Sequence, residues 1–116
     1  MDGFTSGTLL RIFLDDNDRA GNAPLYAAIL QVLRLRGMDG ATVFRGIQGF
    51  GNRDVIHRGM AFAWMSNLPI LIEVVDSEEN IAAVLPDLRA MIPDGLIVLE
   101  SVRFERILRT EAPPGR

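Results

Sequence analysis

The chain has 116 residues, enough for one domain, and 48% of them are hydrophobic, so a lone domain of this size leaves apolar surface that its own core cannot hide. The formal net charge is −3 and all twelve basic residues are arginine, which argues against a general nucleic-acid binder and removes every Schiff-base or P-loop lysine. Cysteine is absent, which excludes disulfides, thiolate catalysis and cysteine-ligated zinc. No apolar run approaches the ~20 residues of a membrane helix, and Met1 to Gly7 lacks the regions of a signal peptide; the expectation is a soluble, cytoplasmic protein without membrane insertion.

Thr8 to Leu14 reads as a strand, and the polar cluster Asp15 to Arg19 with Gly21 reads as a solvated turn. Asn22 is placed to cap a helix with Pro24 in its first turn, Leu25, Ile29, Val32 and Leu33 fall on one face, and Gly37 closes it. Ala41 to Phe44 starts a second strand. From Arg45 to Asn67 the chain reads mostly as loop, with a short helical turn near Met60 to Met65. Leu68 to Val75 restores a strand, and Asp76 with Glu79 makes a capping-box-like start for a helix bearing Ile81, Val84, Leu85 and Leu88. Pro93, Asp94 and Gly95 turn into a last strand, Leu96 to Phe104, and Thr110 to Arg116 reads as a frayed tail.

This order, βαββαβ, predicts an α+β, ferredoxin-like antiparallel sheet with two helices on one face and a long loop between the second and third strands. A sheet with its other face in water alternates apolar and polar residues strictly. Here Leu71 and Val75 oppose Ile70, Ile72 and Val74, and Leu96, Val98 and Val102 oppose Ile97 and Leu99. Apart from Glu73, which lies with Leu71 and Val75, both faces are largely apolar, so the helix-free face is expected to pack on other subunits.

The stretch from Gly40 to Arg58 carries the most chemistry. Gly46, Gly49 and Gly51 either let backbone N–H groups approach an anion or supply positive φ in a hairpin-like excursion. Arg45, Arg53 and Arg58 either balance acidic neighbours or form a positive field for a phosphate or carboxylate. His57, the only histidine, cannot build a multi-histidine metal site within one chain and has no nucleophile beside it; its ordinary role is a loop hydrogen bond. Asp15, Asp16 and Asp18 lack calcium-loop spacing, so no metal site is expected. Glu73 and Glu100 read as strand-surface or interface residues. Trp64, Met60 and Met65 form either a docking tip or a return to the core.

The runs from Gly7 to Phe13, Gly21 to Tyr26 and Gly40 to Gly51, then Ile56 with His57 and Ile72 to Asp76, resemble successive motifs of the domain of unknown function 190 family, whose members are similar to PII signal-transduction proteins. The resemblance covers residues 7 to about 105 and implies a single PII-like domain over 1–116, with a core over 7–105 and a C-terminal extension over 106–116. In PII proteins a Gly-Phe-Gly step at the base of the T-loop lines a nucleotide site between subunits of a trimer, and Gly49-Phe50-Gly51 looks similar. Asp94 and Gly95 occupy the place of the phosphate-cradling turn, but Leu96 stands where PII has a lysine. Arg106 and Arg109 look similar to two PII arginines that reach phosphates, and the modified T-loop tyrosine has no equivalent, since Tyr26 lies on the first helix.

The resemblance therefore implies a homotrimeric signalling protein, not an enzyme. The effector it implies is an adenine nucleotide, ADP, ATP or AMP, or another anionic metabolite, with or without magnesium and with no obligatory cofactor. The effector is held by Arg45, Gly46, Gly49, Phe50, Gly51, Asp94, Gly95, Arg106 and Arg109. The Arg45 to Asn67 loop, with Arg53, His57 and Arg58, then engages a protein partner of the transporter or metabolic-enzyme class. Two alternatives stand beside this: an effector-independent trimeric interaction module, and phosphate-ester chemistry at His57.

Overall fold

Along the first strand, Thr8, Leu10, Ile12 and Leu14 are buried while Leu9, Arg11 and Phe13 between them are not, and Ile70, Ile72, Val74 and Asp76 repeat this period of two on another strand. The computed structural model describes residues 2–51 and 68–108. Strand β1 is Thr5–Asp15, β2 is Arg19–Ala20, β3 is Ala23–Pro24, helix α1 is Leu25–Leu35, β4 is Thr42–Arg45, β5 is Pro69–Asp76, helix α2 is Glu78–Met91 and β6 is Leu96–Phe104.

The main sheet has the order β4-β5-β1-β6, every neighbouring pair antiparallel, and β2 and β3 form a separate short ribbon. Each helical connection skips one strand, from β1 across β5 to β4 and from β5 across β1 to β6. This is the expected ferredoxin-like topology. Leu25, Ile29 and Leu33 of α1 and Ile81, Val84 and Leu88 of α2 close one core with the buried strand residues. Ile72 sits at the centre with no exposed surface, so Ile72→Ala is expected to cost about 2–5 kcal/mol in a denaturant unfolding titration.

The helix ends divide between expectation and correction. Gly37 adopts φ 86° and closes α1 as expected, its N–H donating to the Arg34 carbonyl while the Met38 N–H donates to that of Leu33, the paired bonds of a Schellman stop. Asn22 is not the N-cap of α1. Pro24 takes that position in extended backbone without a side-chain cap, and the Leu25 N–H donates to the Asp18 carbonyl at 2.8 Å instead. At α2 the cap is Ser77, whose hydroxyl accepts from the Asn80 N–H at 3.1 Å. Asp76, expected as the cap, supports it by accepting from Ser77 N–H and from the Asn80 amide.

Two segments differ more. Strand β1 begins three residues before the expected Thr8, because Thr5, Ser6 and Gly7 pair with Phe104, Arg103 and Val102. The acidic cluster is not a solvated turn: Asp18 is 6% exposed and its carboxylate accepts the Asp15 N–H at 3.0 Å, while Asp16 binds Leu68 on the far side of the β4–β5 connection. The expected helical turn near Met60 to Met65, the Trp64 tip and the tail from Thr110 lie outside the described residues. Among the described residues no helix is long and apolar enough to cross a membrane.

On the helix-free face the register aligns Phe44, Leu71, Phe13 and Leu96 in one row across all four strands. Phe44 is 48%, Phe13 38% and Leu96 57% exposed, so a contiguous apolar band faces outward, as the lack of strict alternation predicted. Beside it Arg11 donates to Glu73 at 2.9 Å and to Glu100 at 3.1 Å. The guanidinium pKa is raised chiefly by its hydrogen bond to Glu73, with Glu100 adding to it, and one arginine between two carboxylates leaves one formal negative charge in excess.

Candidate functional site

Strand β4 ends at Arg45, and the Gly46 N–H still reaches the Pro69 carbonyl at 2.8 Å, extending the ladder by one bond. The chain then passes directly over the Pro69 ring. A Cβ on Gly46 would lie 2.6 Å from Pro69 Cγ and one on Gly49 3.0 Å from it, whereas Gly51 faces open space. None of these three is in the left-handed region, which among the described glycines is used by Gly3, Gly21 and Gly37. Positive φ is therefore not why glycine stands there: Gly46 and Gly49 admit a close approach of backbone to proline. Beyond this contact Ile47 and Phe50 project almost wholly into solvent.

Arg45 shares the register of Ile70, on the helix side of the sheet. Its Nε lies 3.6 Å from Asp16 Oδ2 and its guanidinium 5.9 Å from the centre of the Tyr26 ring. The Asp16 N–H donates to the Leu68 carbonyl at 3.0 Å and its Oδ1 accepts the Leu68 N–H at 3.2 Å. Both flanks of the β4–β5 connection thus converge on one carboxylate.

The Pro93 to Gly95 turn enters β6 at the same end of the sheet. A Cβ on Gly95 would fall 2.9 Å from the Phe13 carbonyl oxygen and 2.9 Å from Ile92 Cγ2, so this glycine is required by the close approach of the turn to β1. However, β4 and β6 are opposite edges with β5 and β1 between them. At about 4.8 Å per strand, the loop root and the turn stand roughly 14 Å apart within one chain.

Arg106 is not at this end. It follows β6, whose length at about 3.3 Å per residue separates it from Gly95 by roughly 25 Å or more. There Nε pairs with Asp39 at 3.0 Å, Nη2 donates to the Val75 carbonyl at 3.0 Å, and the guanidinium lies 5.2 Å from the Phe104 ring centre. The expected effector set is therefore divided within one chain. Arg45, Gly46, Gly49, Phe50 and Gly51 are together, Asp94 and Gly95 lie at the other edge, and Arg106 is at the far end. Arg53, His57, Arg58 and Arg109 lie outside the described residues.

Asp16, read from sequence as one of several turn carboxylates, and Gly7, read only as part of a motif, take their roles from contacts distant along the chain. A Cβ on Gly7 would meet the Phe104 ring at 2.4 Å and the Asp76 carbonyl oxygen at 2.6 Å. The Arg11 triad had a readable signal, a lone arginine and two lone glutamates in apolar strands. At the N-terminal edge, Asp2 accepts the Phe4 N–H at 3.0 Å and pairs with Arg103, and these two bonds, the Phe4 one foremost, hold its carboxyl below the usual range. Among the described residues no group of three or more His, Asp or Glu is placed to hold a metal ion.

The sheet order, the two helices on one face and the exposed apolar band define a PII-like α+β fold. A protein from Thermus thermophilus described as PII-like and signalling superposes with a TM-score of 0.62 at 19% identity, over 88% of this chain and 92% of that one. CPII from Thiomonas intermedia, a nitrogen regulatory PII-like protein solved with ADP, AMP and bicarbonate, gives 0.57 at 16% identity over 90% and 99%.

The chain belongs to the DUF190 family, described as an uncharacterized ACR, whose model matches residues 7–104. Its relatives include UPF0166 proteins from Aquifex aeolicus, 38% identical over 81% of this chain and 89% of that one, and from Methanocaldococcus jannaschii, 41% identical over 78% and 84%.

Proposed function

We propose that the protein is a PII-like regulator: a homotrimer that binds an adenine nucleotide, or another small anion, between neighbouring chains and passes the binding on to a protein partner. The observation that carries this reading is the placement of the loop root and the Pro93 to Gly95 turn at one end of the sheet but on opposite edges. Copies set side by side would bring the root of one to the turn of the next. The exposed apolar band supports assembly, since a patch of this kind on a small domain is an interface signature. CPII, which shares the fold, was solved with ADP, AMP and bicarbonate, and this supports choosing those ligands first.

In this reading Gly49, Phe50 and Gly51 shape one wall of the cleft and Arg45 neutralises charge. Asp94 and Gly95 present backbone donors from the neighbouring chain, and Arg106 and Arg109 come from a further copy or a rearranged C-terminus. Phosphate contacts supply the differential binding energy that a switch requires. Residues Arg45 to Asn67, including Arg53, His57 and Arg58, carry the signal to a transporter or metabolic enzyme in the cytoplasm.

A thermal-shift series with ADP, AMP, ATP and bicarbonate, with and without magnesium, tests it. A nucleotide at a hundred times its dissociation constant is expected to stabilise the fold by about 2.7 kcal/mol, a shift of several degrees. Arg45→Ala is expected to weaken binding about tenfold. A flat series on a verified trimer would overturn the sensor reading and leave a trimeric interaction module in its place.

A further inference from the structure

Asp16 touches both flanks of the β4–β5 connection, and its two oxygens do different work. Oδ1 accepts the Leu68 N–H at 3.2 Å, and the Asp16 N–H returns a bond to the Leu68 carbonyl at 3.0 Å, so the Leu68 side is held by two conventional hydrogen bonds. Oδ2 stands 3.6 Å from Arg45 Nε, too far for a hydrogen bond, which leaves a Coulombic contact between a carboxylate 17% exposed and an arginine 51% exposed. Asp16 is therefore fixed by Leu68. Arg45, half in solvent and flanked by the Tyr26 ring, is the partner that can move.

We infer that Asp16 competes with the anionic group of an effector for Arg45, and so sets how tightly the loop root holds an anion. The inference rests on the sensor reading above. A guanidinium beside a carboxylate presents no net charge, so an arriving phosphate must draw Arg45 away from Asp16 while being repelled by it. The tie to Leu68 needs only an acceptor and no charge, so it persists while Arg45 changes partner. Asp16→Asn separates the two roles: its Oδ1 still accepts the Leu68 N–H, and the attraction for Arg45 is lost.

The test is calorimetric titration of the full-length protein with ADP, AMP and ATP, in the wild type, Asp16→Asn, Arg45→Ala and the double variant. It is paired with hydrogen exchange at the Leu68 amide in the wild type, Asp16→Asn and Asp16→Ala. Asp16→Asn is expected to tighten nucleotide binding roughly two- to fivefold, the scale of a half-exposed ion pair, and to have no such effect once Arg45 is alanine. The Leu68 amide should exchange as in the wild type in Asp16→Asn and faster in Asp16→Ala.

Unchanged or weaker binding by Asp16→Asn, or the same gain without Arg45, would overturn the competition while leaving the sensor reading intact. A wild type that binds none of the three nucleotides would overturn both. An unaltered Leu68 amide in Asp16→Ala would remove the fixed anchor on which the competition depends.

Discussion

Gly7→Ala is expected to destabilise the domain by about 1–3 kcal/mol, and Gly7→Val by more. The new Cβ would fall 2.4 Å from the Phe104 ring and 2.6 Å from the Asp76 carbonyl oxygen. The ring belongs to the edge strand β6 and could turn aside. The carbonyl cannot: it sits where β5 passes into α2, and the same residue's carboxylate binds the Ser77 N–H and the Asn80 amide. A shift large enough to admit a methyl group would therefore disturb the strand end and the helix cap together. Adding Phe104→Ala should recover only the part due to the ring. Urea unfolding of the single and double variants checks this, and a Gly7→Ala midpoint equal to that of the wild type would contradict it.

Phe13→Glu is expected to dissociate the proposed trimer without unfolding the chain. Phe13 stands mid-row among Phe44, Leu71 and Leu96 on the helix-free face, 38% exposed within one chain, and it contributes nothing to the buried core. A carboxylate there costs the monomer little because it reaches water. In a contact between subunits it is buried without a counter-ion, next to the Arg11 triad that already carries excess negative charge. An unpaired buried charge costs about 3–5 kcal/mol, enough to lower an association constant by roughly two to nearly four orders of magnitude. Light scattering should then report a monomer with unchanged far-ultraviolet circular dichroism. A trimer of undiminished stability would show that the apolar band is not the contact.

The elements legible in the sequence are those fixed by neighbours along the chain. Leu96 to Phe104 has the bounds expected from its apolar and β-branched run, and α1 stops at Gly37 through bonds from the Gly37 N–H three positions back and from the Met38 N–H five positions back. What escaped reading depends on partners distant along the chain. Gly46 and Gly49 look like turn glycines until the Pro69 ring is placed beneath them, and Asp16 looks like one of several loop carboxylates until β5 brings Leu68 beside it. Thr5 to Gly7 has loop-like composition and becomes strand because β6 offers it a ladder. The candidate site shows the same division: its glycines and Arg45 were visible as residue types, but only the strand order shows that the root and the turn lie on opposite edges of one chain.

That separation makes the sharing of a site between chains the central claim, and titration of ADP into the wild type and into Phe13→Glu tests it most directly. The account predicts one nucleotide bound per chain in the trimer and no binding by the folded monomer. Equal affinity in the two proteins would place the whole site within one chain and contradict it.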